Sequence, residues 1–363
     1  MKNRIIGLDI IRCTAIISVF WYHGSLLFPN ELESILKTPL ILPFEGVSTF
    51  FVLSGFLIGN IFLKNFMTSS FSFSTLFNFW KRRWWRTLPS YFFILIVLIF
   101  LQFKMWNYNW SFFLFSQKLL LGSSPNFFAV AWSLAVEEWF YFLFPLIVYI
   151  FYRIINKKTT SFLIVTLLFL IVPLLFRLIY HSQGIEFWKF RHLALFRLDG
   201  IMYGVLAGFC YYSYPKLWDK IKTKALYYGI IWVTIFTTFD VVQLNSDYLE
   251  SLRFSIEALS VIFFLPALNS LKSIRNKHLT KGIVFVSQTS YSFYLIHANL
   301  VLWILIPFLE NKNYLSGLRF ELQRITLFAI YTLTSLVLSW IMYKYFEKPI
   351  LKLRDKYTSK EVK

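Results

Sequence analysis

Residues 161–180 read SFLIVTLLFLIVPLLFRLIY, an unbroken apolar run with one charge, Arg177. As a helix this run rises about 30 Å, the thickness of a bilayer's hydrocarbon core. No polar stripe recurs along it, so it reads as a membrane crossing rather than a surface helix. Further candidates flank it on both sides: 8–27, 44–63, 89–103, 130–152, 194–212, 225–243, 252–271, 283–308 and 323–346. The stretch 89–103 is short for a crossing. The whole chain of 363 residues agrees, with 57% hydrophobic residues and 15% charged, where a soluble domain carries about 25% charge. Too little polar surface exists to cover a water-soluble core, which excludes an ordinary soluble enzyme. The expected fold is an all-α integral membrane protein, a bundle of about ten transmembrane helices.

The formal charge of +19 is distributed by side. With the N-terminus inside and the spans alternating, 24 Lys and Arg fall in cytoplasmic segments and 7 in outer ones. That asymmetry is the positive-inside pattern, and it places both termini in the cytoplasm. Charge spread over short segments forms no single basic face, so a nucleic-acid partner is not expected. The start of the chain, basic and then apolar, holds Asp9 and Arg12 and lacks a small-residue cleavage pattern, so it is read as a retained first helix. Cys13 and Cys210 lie in apolar runs at no disulfide or metal spacing. No metal site is expected. The 17 residues after Phe346 are too few for a second domain. The expected division is therefore a membrane domain over 1–346 and a short basic cytoplasmic tail over 347–363.

Ionisable side chains inside spans are costly, so they usually face the bundle interior or a watery cavity. Asp9 and Arg12 lie three apart on one helix face and can pair. His23 follows Arg12 by eleven residues, close to three turns, on nearly the same face and about 16 Å further along. The three make a polar stripe with Arg12 near the cytoplasm and His23 toward the outer half. Histidine is the usual general base near neutral pH. The stretch 44–63 holds Gly46, Ser48, Ser54, Gly55 and Gly59, small residues that either let helices approach or leave room for a thin substrate arm.

Phe79-Trp80-Lys81-Arg82-Arg83-Trp84-Trp85-Arg86 forms a cytoplasmic loop in this reading. It suits a lipid headgroup interface, or else Arg83 and Arg86, one turn apart, grip phosphates. In Trp132-Ser133-Leu134-Ala135-Val136-Glu137-Glu138 the two carboxylates point about 100° apart on a helix. One can orient His23 or Arg12 while the other caps or faces outer water.

These segments together resemble the membrane-bound acyltransferase family 3, integral-membrane enzymes that modify cell-surface polysaccharides. The markers run in order. They are Gly7-Leu8-Asp9-Ile10-Ile11-Arg12 with His23, Gly46-Val47-Ser48-Thr49-Phe50-Phe51 through Leu57, and Arg83-Trp84-Trp85-Arg86. The Trp132–Glu138 segment follows, then Ser290-Tyr291-Ser292-Phe293-Tyr294-Leu295-Ile296-His297 and Phe346-Glu347-Lys348-Pro349. The family's R-x10-H pattern falls on Arg12 and His23, its R-x-x-R on Arg83 and Arg86, and its acid in W-S-L-x-x-E on Glu137. The resemblance implies acetyl-CoA, or a related acyl thioester, as cytoplasmic donor and a glycan hydroxyl as acceptor in the bacterial cytoplasmic (inner) membrane.

The expected site then has His23 and Glu137 as catalytic residues, with Glu137 orienting His23. Asp9, Arg12 and Glu138 support them, and Arg83 and Arg86 bind the donor. The partners expected are an acyl-CoA, a surface glycan such as lipopolysaccharide O-antigen or exopolysaccharide (or its lipid-linked precursor), and membrane lipids. Larger relatives carry an added outer domain, so the short tail implies that the membrane domain serves the acceptor directly. Two rival readings use the same charges: an acyltransferase for a lipid headgroup or small molecule, and a transporter with no bond chemistry. The absence of an evident inverted repeat weighs against the transporter.

Overall fold

The protein is described by a computed structural model over residues 4–37, 45–68, 71–102, 110–119, 126–185, 190–241, 247–315 and 317–358. The first half holds α1 (Ile6–Gly24), α2 (Asn30–Leu36), α3 (Gly46–Thr68), α4 (Phe73–Leu101), α5 (Ala131–Ile155) and α6 (Lys158–Ser182). The second holds α7 (Leu198–Ser213), α8 (Pro215–Val241), α9 (Asp247–Ser270), α10 (Lys277–Ile296), α11 (Ile306–Asn311), α12 (Phe320–Met342) and α13 (Lys348–Thr358). Two π-helical segments, His297–Leu305 and Tyr343–Glu347, join α10 to α11 and α12 to α13. Among the described residues there is no strand. In a membrane this follows from the need to satisfy every backbone polar group within the segment.

Helix ends are set by local chemistry. The Asn276 side chain accepts from the backbone N–H groups of His278 and Leu279 and starts α10. Ser72 accepts from Thr75 N–H at the start of α4. Asn156, at φ 56°, closes α5 in the left-handed conformation. The stretch that opened the sequence reading is α6. Its Leu163, Leu167, Ile171, Leu175 and Ile179 are exposed at helical spacing, the lipid-facing stripe of a span.

Among the described residues eight helical units are long and apolar enough to cross a membrane: α1, α3, α4, α5, α6, α9, α10 with its extension, and α12 with its extension. Two of the ten expected crossings fall outside that set. The helix at 198–213 is only 16 residues long, about 24 Å. It lies inside the bundle against α3 and has no need of a full apolar length. The helix at 215–241 opens on Lys216, Asp219, Lys220, Lys222 and Lys224; the expected end at Gln243 lies outside the described residues. Removing or keeping this adjacent pair leaves an even count, so the ends of the chain stay on one side. The short expected span 89–103 is also corrected. It is the second half of α4, which runs through the basic-aromatic stretch without a break, while Phe103 itself lies outside the described residues. Lys348–Thr358 shows that the tail begins as a helix.

The small residues of α3 have a mixed role. A Cβ at Gly55 would lie 1.9 Å from the carbonyl oxygen of Ile201, and one at Gly204 would lie 2.0 Å from that of Val52. Glycine there lets α3 and α7 touch backbone to backbone. Ser54, Leu57 and Ile58, on another face of α3, line a cavity instead. Gly55→Ala should therefore force α3 and α7 apart and cost about 1–3 kcal/mol. Thermal unfolding of the detergent-solubilised protein checks this. The control is Gly282→Ala, where a Cβ meets nothing within 4 Å and the midpoint should hold or rise.

Candidate active site

The polar stripe on α1 forms as the spacing implied, but with different partners. Asp9 is held chiefly by Arg4, whose Nη2 donates to it at 2.7 Å, and by Ser287 Oγ of α10 at 2.6 Å. Arg12 lies 4.0 Å from Asp9 and donates to Ser287 Oγ at 3.3 Å. With Asp9 already occupied, much of the Arg12 guanidinium is left for the cavity. His23 meets the same neighbouring helix ten residues further along, at His297. Eleven residues on α1 thus match ten on α10, which requires the two helices to run parallel.

The carboxylates of α5 do not reach α1. Arg83 Nη2 donates to Glu137 Oε2 at 2.6 Å, and the Arg83 guanidinium lies 4.0 Å over the Tyr141 ring. Glu138 accepts from the Thr87 hydroxyl at 2.8 Å. Arg83 and Thr87 are one turn apart on α4, so one helix serves both neighbouring acids, although they point about 100° apart. The expectation that Glu137 orients His23 is therefore not what the geometry shows. Glu137 is committed to Arg83 across the α4–α5 contact. Arg83 and Arg86 stand on a helix rather than a loop, and Arg83 is buried. Arg86 is exposed. Among the described residues Arg86 has no hydrogen bond or ion pair, and the Nε of Arg83 is buried with no partner.

These groups converge on one cavity of about 110 Å³. Arg12, Arg83, Arg86 and Glu137 line its polar part; Val47, Phe50, Phe51, Leu53, Leu57 and Ile58 of α3 form an apolar wall. Val47 to Ile58 along α3 spans about 16 Å, so the cavity is a slot rather than a sphere. In the alternating topology Arg83, Arg86 and Ile58 lie toward its cytoplasmic end, while Val47, Ser133 and Tyr294 mark its outer end. The outer end is closed by a Tyr294 hydroxyl–Ser133 hydroxyl bond of 2.6 Å. Tyr291, also in the lining, donates to the Thr87 carbonyl at 2.8 Å and ties α10 to α4.

His23 does not line the cavity. It is half-buried near the outer end of α1, with Nδ1 3.1 Å from Nε2 of His297, which is fully buried. Tyr294 connects the two regions, because it lines the cavity and its ring centre is 5.9 Å from that of His297. One aromatic wall therefore separates the slot from an imidazole pair toward the outer end of α1. Sequence reasoning placed His297 among the family markers and gave it no role. The matching intervals between Arg12 and His23 and between Ser287 and His297 were the signal that could have paired it with His23.

A second charged group sits beyond the closed outer end, where α3 begins. Glu45 accepts from Arg191 at 3.1 Å and from Arg197 at 3.0 Å, and Arg197 also donates to Ser48 at 2.9 Å. His192 lies beside it, its ring 4.7 Å from that of Trp132. Burial first, and then the charges of Arg191 and Arg197, push the His192 pKa down to about 3. His192 is therefore neutral near pH 7.

A family model described as an acyltransferase domain matches residues 5–344. Curated relatives include the O-acetyltransferase OatA of Staphylococcus aureus strains NCTC 8325 and COL. Each is 26% identical over 375 residues, covering 95% of this chain and 57% of the relative. The chain thus spans a little over half the length of these relatives. No solved structure matches.

Proposed function

The chain belongs to the membrane-bound acyltransferase family whose model covers it almost end to end, and from that premise we propose that it is a membrane O-acetyltransferase. It would move an acetyl or similar acyl group from acetyl-CoA to a hydroxyl of a cell-surface glycan, such as an O-antigen or exopolysaccharide or its lipid-linked precursor. The bacterial cytoplasmic membrane would be its site. The observation that carries this reading is the slot itself, with three guanidinium groups at one end and an apolar wall beyond them.

The slot suits a coenzyme A thioester part by part. Phosphates match Arg86 and Arg12 at the cytoplasmic end, because a guanidinium binds phosphate oxygens with paired hydrogen bonds. The unpartnered Nε of Arg83 offers one further donor, one turn away on α4. The narrow pantetheine arm matches the α3 wall, and the thioester then lies against Tyr294. From the outer side the glycan hydroxyl approaches His23. For the two to meet, the Tyr294–Ser133 contact must open.

In direct transfer the hydroxyl oxygen attacks the thioester carbonyl carbon as its proton passes to His23. The carbon–sulfur bond then breaks, and the departing thiolate takes that proton. In the two-step route His23 first receives the acyl group as the carbon–sulfur bond breaks and the ring proton passes to the departing sulfur; the glycan oxygen then displaces the imidazole, which takes up the hydroxyl proton. Arg83 and Glu137 hold α4 against α5 and keep the slot's charges in place, while Asp9 and Arg4 anchor the inner end of α1.

Arg86→Ala tests the donor end. Arg86 has no partner to strand among the described residues, so the variant should fold. The KM for acetyl-CoA should rise about tenfold with a smaller change in kcat, the size of one lost charge-assisted hydrogen bond at an exposed mouth. Titration of acetyl-CoA against membranes of equal protein content reads it, and an unchanged KM would remove Arg86 from the donor site.

A further inference from the structure

We propose that His297 is the positioning residue that fixes the proton of His23 on Nδ1 and leaves His23 Nε2 bare. The assignment follows from which atoms can donate. His297 Nδ1 is 2.9 Å from the Phe293 carbonyl oxygen. A carbonyl oxygen only accepts, so Nδ1 of His297 carries the hydrogen. In a neutral ring its Nε2 then has a lone pair and no proton. That Nε2 is 3.1 Å from His23 Nδ1, so His23 Nδ1 is the donor of the second bond. The Val19 carbonyl, one turn back on α1, also accepts from the His23 ring, and with Nδ1 serving both acceptors the remaining nitrogen, His23 Nε2, keeps its lone pair. The Phe293 carbonyl thus sets the His297 tautomer, and His297 together with the Val19 carbonyl sets that of His23.

The site is built to hold this arrangement. Phe293 O also accepts the backbone N–H of His297, so both its lone pairs serve one residue. His297 is fully buried and its ring stacks on that of Phe293, with centres 5.6 Å apart. It is also the first residue of the nine-residue π-helical segment, and such segments in α-helices are frequent at functional sites. His23, by contrast, is only half-buried. The rigid partner is therefore the inner one, and the accessible ring carries the bare nitrogen. A base that accepts a hydroxyl proton, or a nucleophile that accepts an acyl group, needs that nitrogen. The use of the bare nitrogen rests on the acyltransferase reading; the proton assignment does not.

The experiment uses the full chain in lipid nanodiscs, labelled with 15N-histidine, as wild type, His297→Gln and His297→Leu. The His23 signals are assigned by their loss in His23→Gln. Gln places an amide oxygen near the position of the His297 Nε2. It accepts from His23 but can neither carry a charge nor relay a proton. Wild type and His297→Gln should show His23 protonated at Nδ1 and bare at Nε2, and both should transfer acyl groups at similar rates. His297→Leu should show a mixture of His23 tautomers and lose about 10²-fold in rate, the low end of what positioned proton transfer contributes. Its unfolding midpoint should stay close to that of His297→Gln. The proposal is overturned if wild-type His23 carries its proton on Nε2. It is equally overturned if His297→Leu matches wild type in rate, or if folded His297→Gln is as slow as His297→Leu. The expected tautomers with no acyl transfer by wild type would uphold the assignment and sink the acyltransferase reading instead.

Discussion

His23→Ala should lower acyl transfer by about 10²–10⁴-fold, the contribution of a positioned proton-transfer group. Its imidazole bonds to His297 and to the Val19 carbonyl of its own helix, and it is half-buried. Its loss should therefore leave the bundle standing. Removing it leaves the slot, the three arginines and the Glu137–Arg83 pair in place, so donor binding should survive while turnover does not. That split distinguishes a chemical role from a structural one. The O-acetyl content of the surface polysaccharide, in cells with normal levels of the variant, reads the effect. Unchanged acetylation would remove His23 from the chemistry.

Arg177→Met should be the most damaging substitution for stability, at about 3–5 kcal/mol. Arg177 is the charge inside the α6 run, and the side chains of Arg177 and Asp199 are 0% and 1% exposed. Its guanidinium donates to both oxygens of Asp199 at 2.9 and 2.7 Å, to the carbonyls of Ser251 and Phe196, and to Ser255 Oγ. One side chain thereby joins α6, α7 and α9. With Arg177 gone, Asp199 keeps Ser255 and no cation, inside an apolar bundle where water cannot compensate it. The double variant Arg177→Met, Asp199→Asn removes the stranded charge and should recover much of the loss. Denaturant unfolding in detergent measures both. A single variant as stable as wild type, or a double variant no better than the single, would contradict this reading.

Periodicity and apolar length made the membrane bundle readable, because a span must satisfy its own backbone and face lipid. The Asp9–Arg12–His23 stripe was readable for the same reason: 3.6 residues per turn fixes which side chains share a face. Pairings between helices were not readable. Glu137 and His23 look like partners in sequence, but the angle at which α4 meets α5 gives Glu137 to Arg83. Arg4 takes Asp9 in the same way, from outside the apolar run. The basic-aromatic stretch looked like a loop because hydropathy dips there. In the fold it is the continuous helix α4, with Arg83 turned inward onto an acid. The short α7 falls below the length of a full span; its sequence does not show this, because burial inside protein and burial in lipid leave the same apolar signature.

The proposed function requires this chain to make and break an acyl bond, using a donor slot and the His23 imidazole. The most direct measurement is release of free thiol from acetyl-CoA by the purified protein in nanodiscs, with and without a glycan bearing free hydroxyls. Acceptor-dependent thiol release is expected, stoichiometric with ester formed on the glycan and lost in His23→Ala. Glycan movement across the bilayer with no thiol released would contradict it and would show a transporter instead.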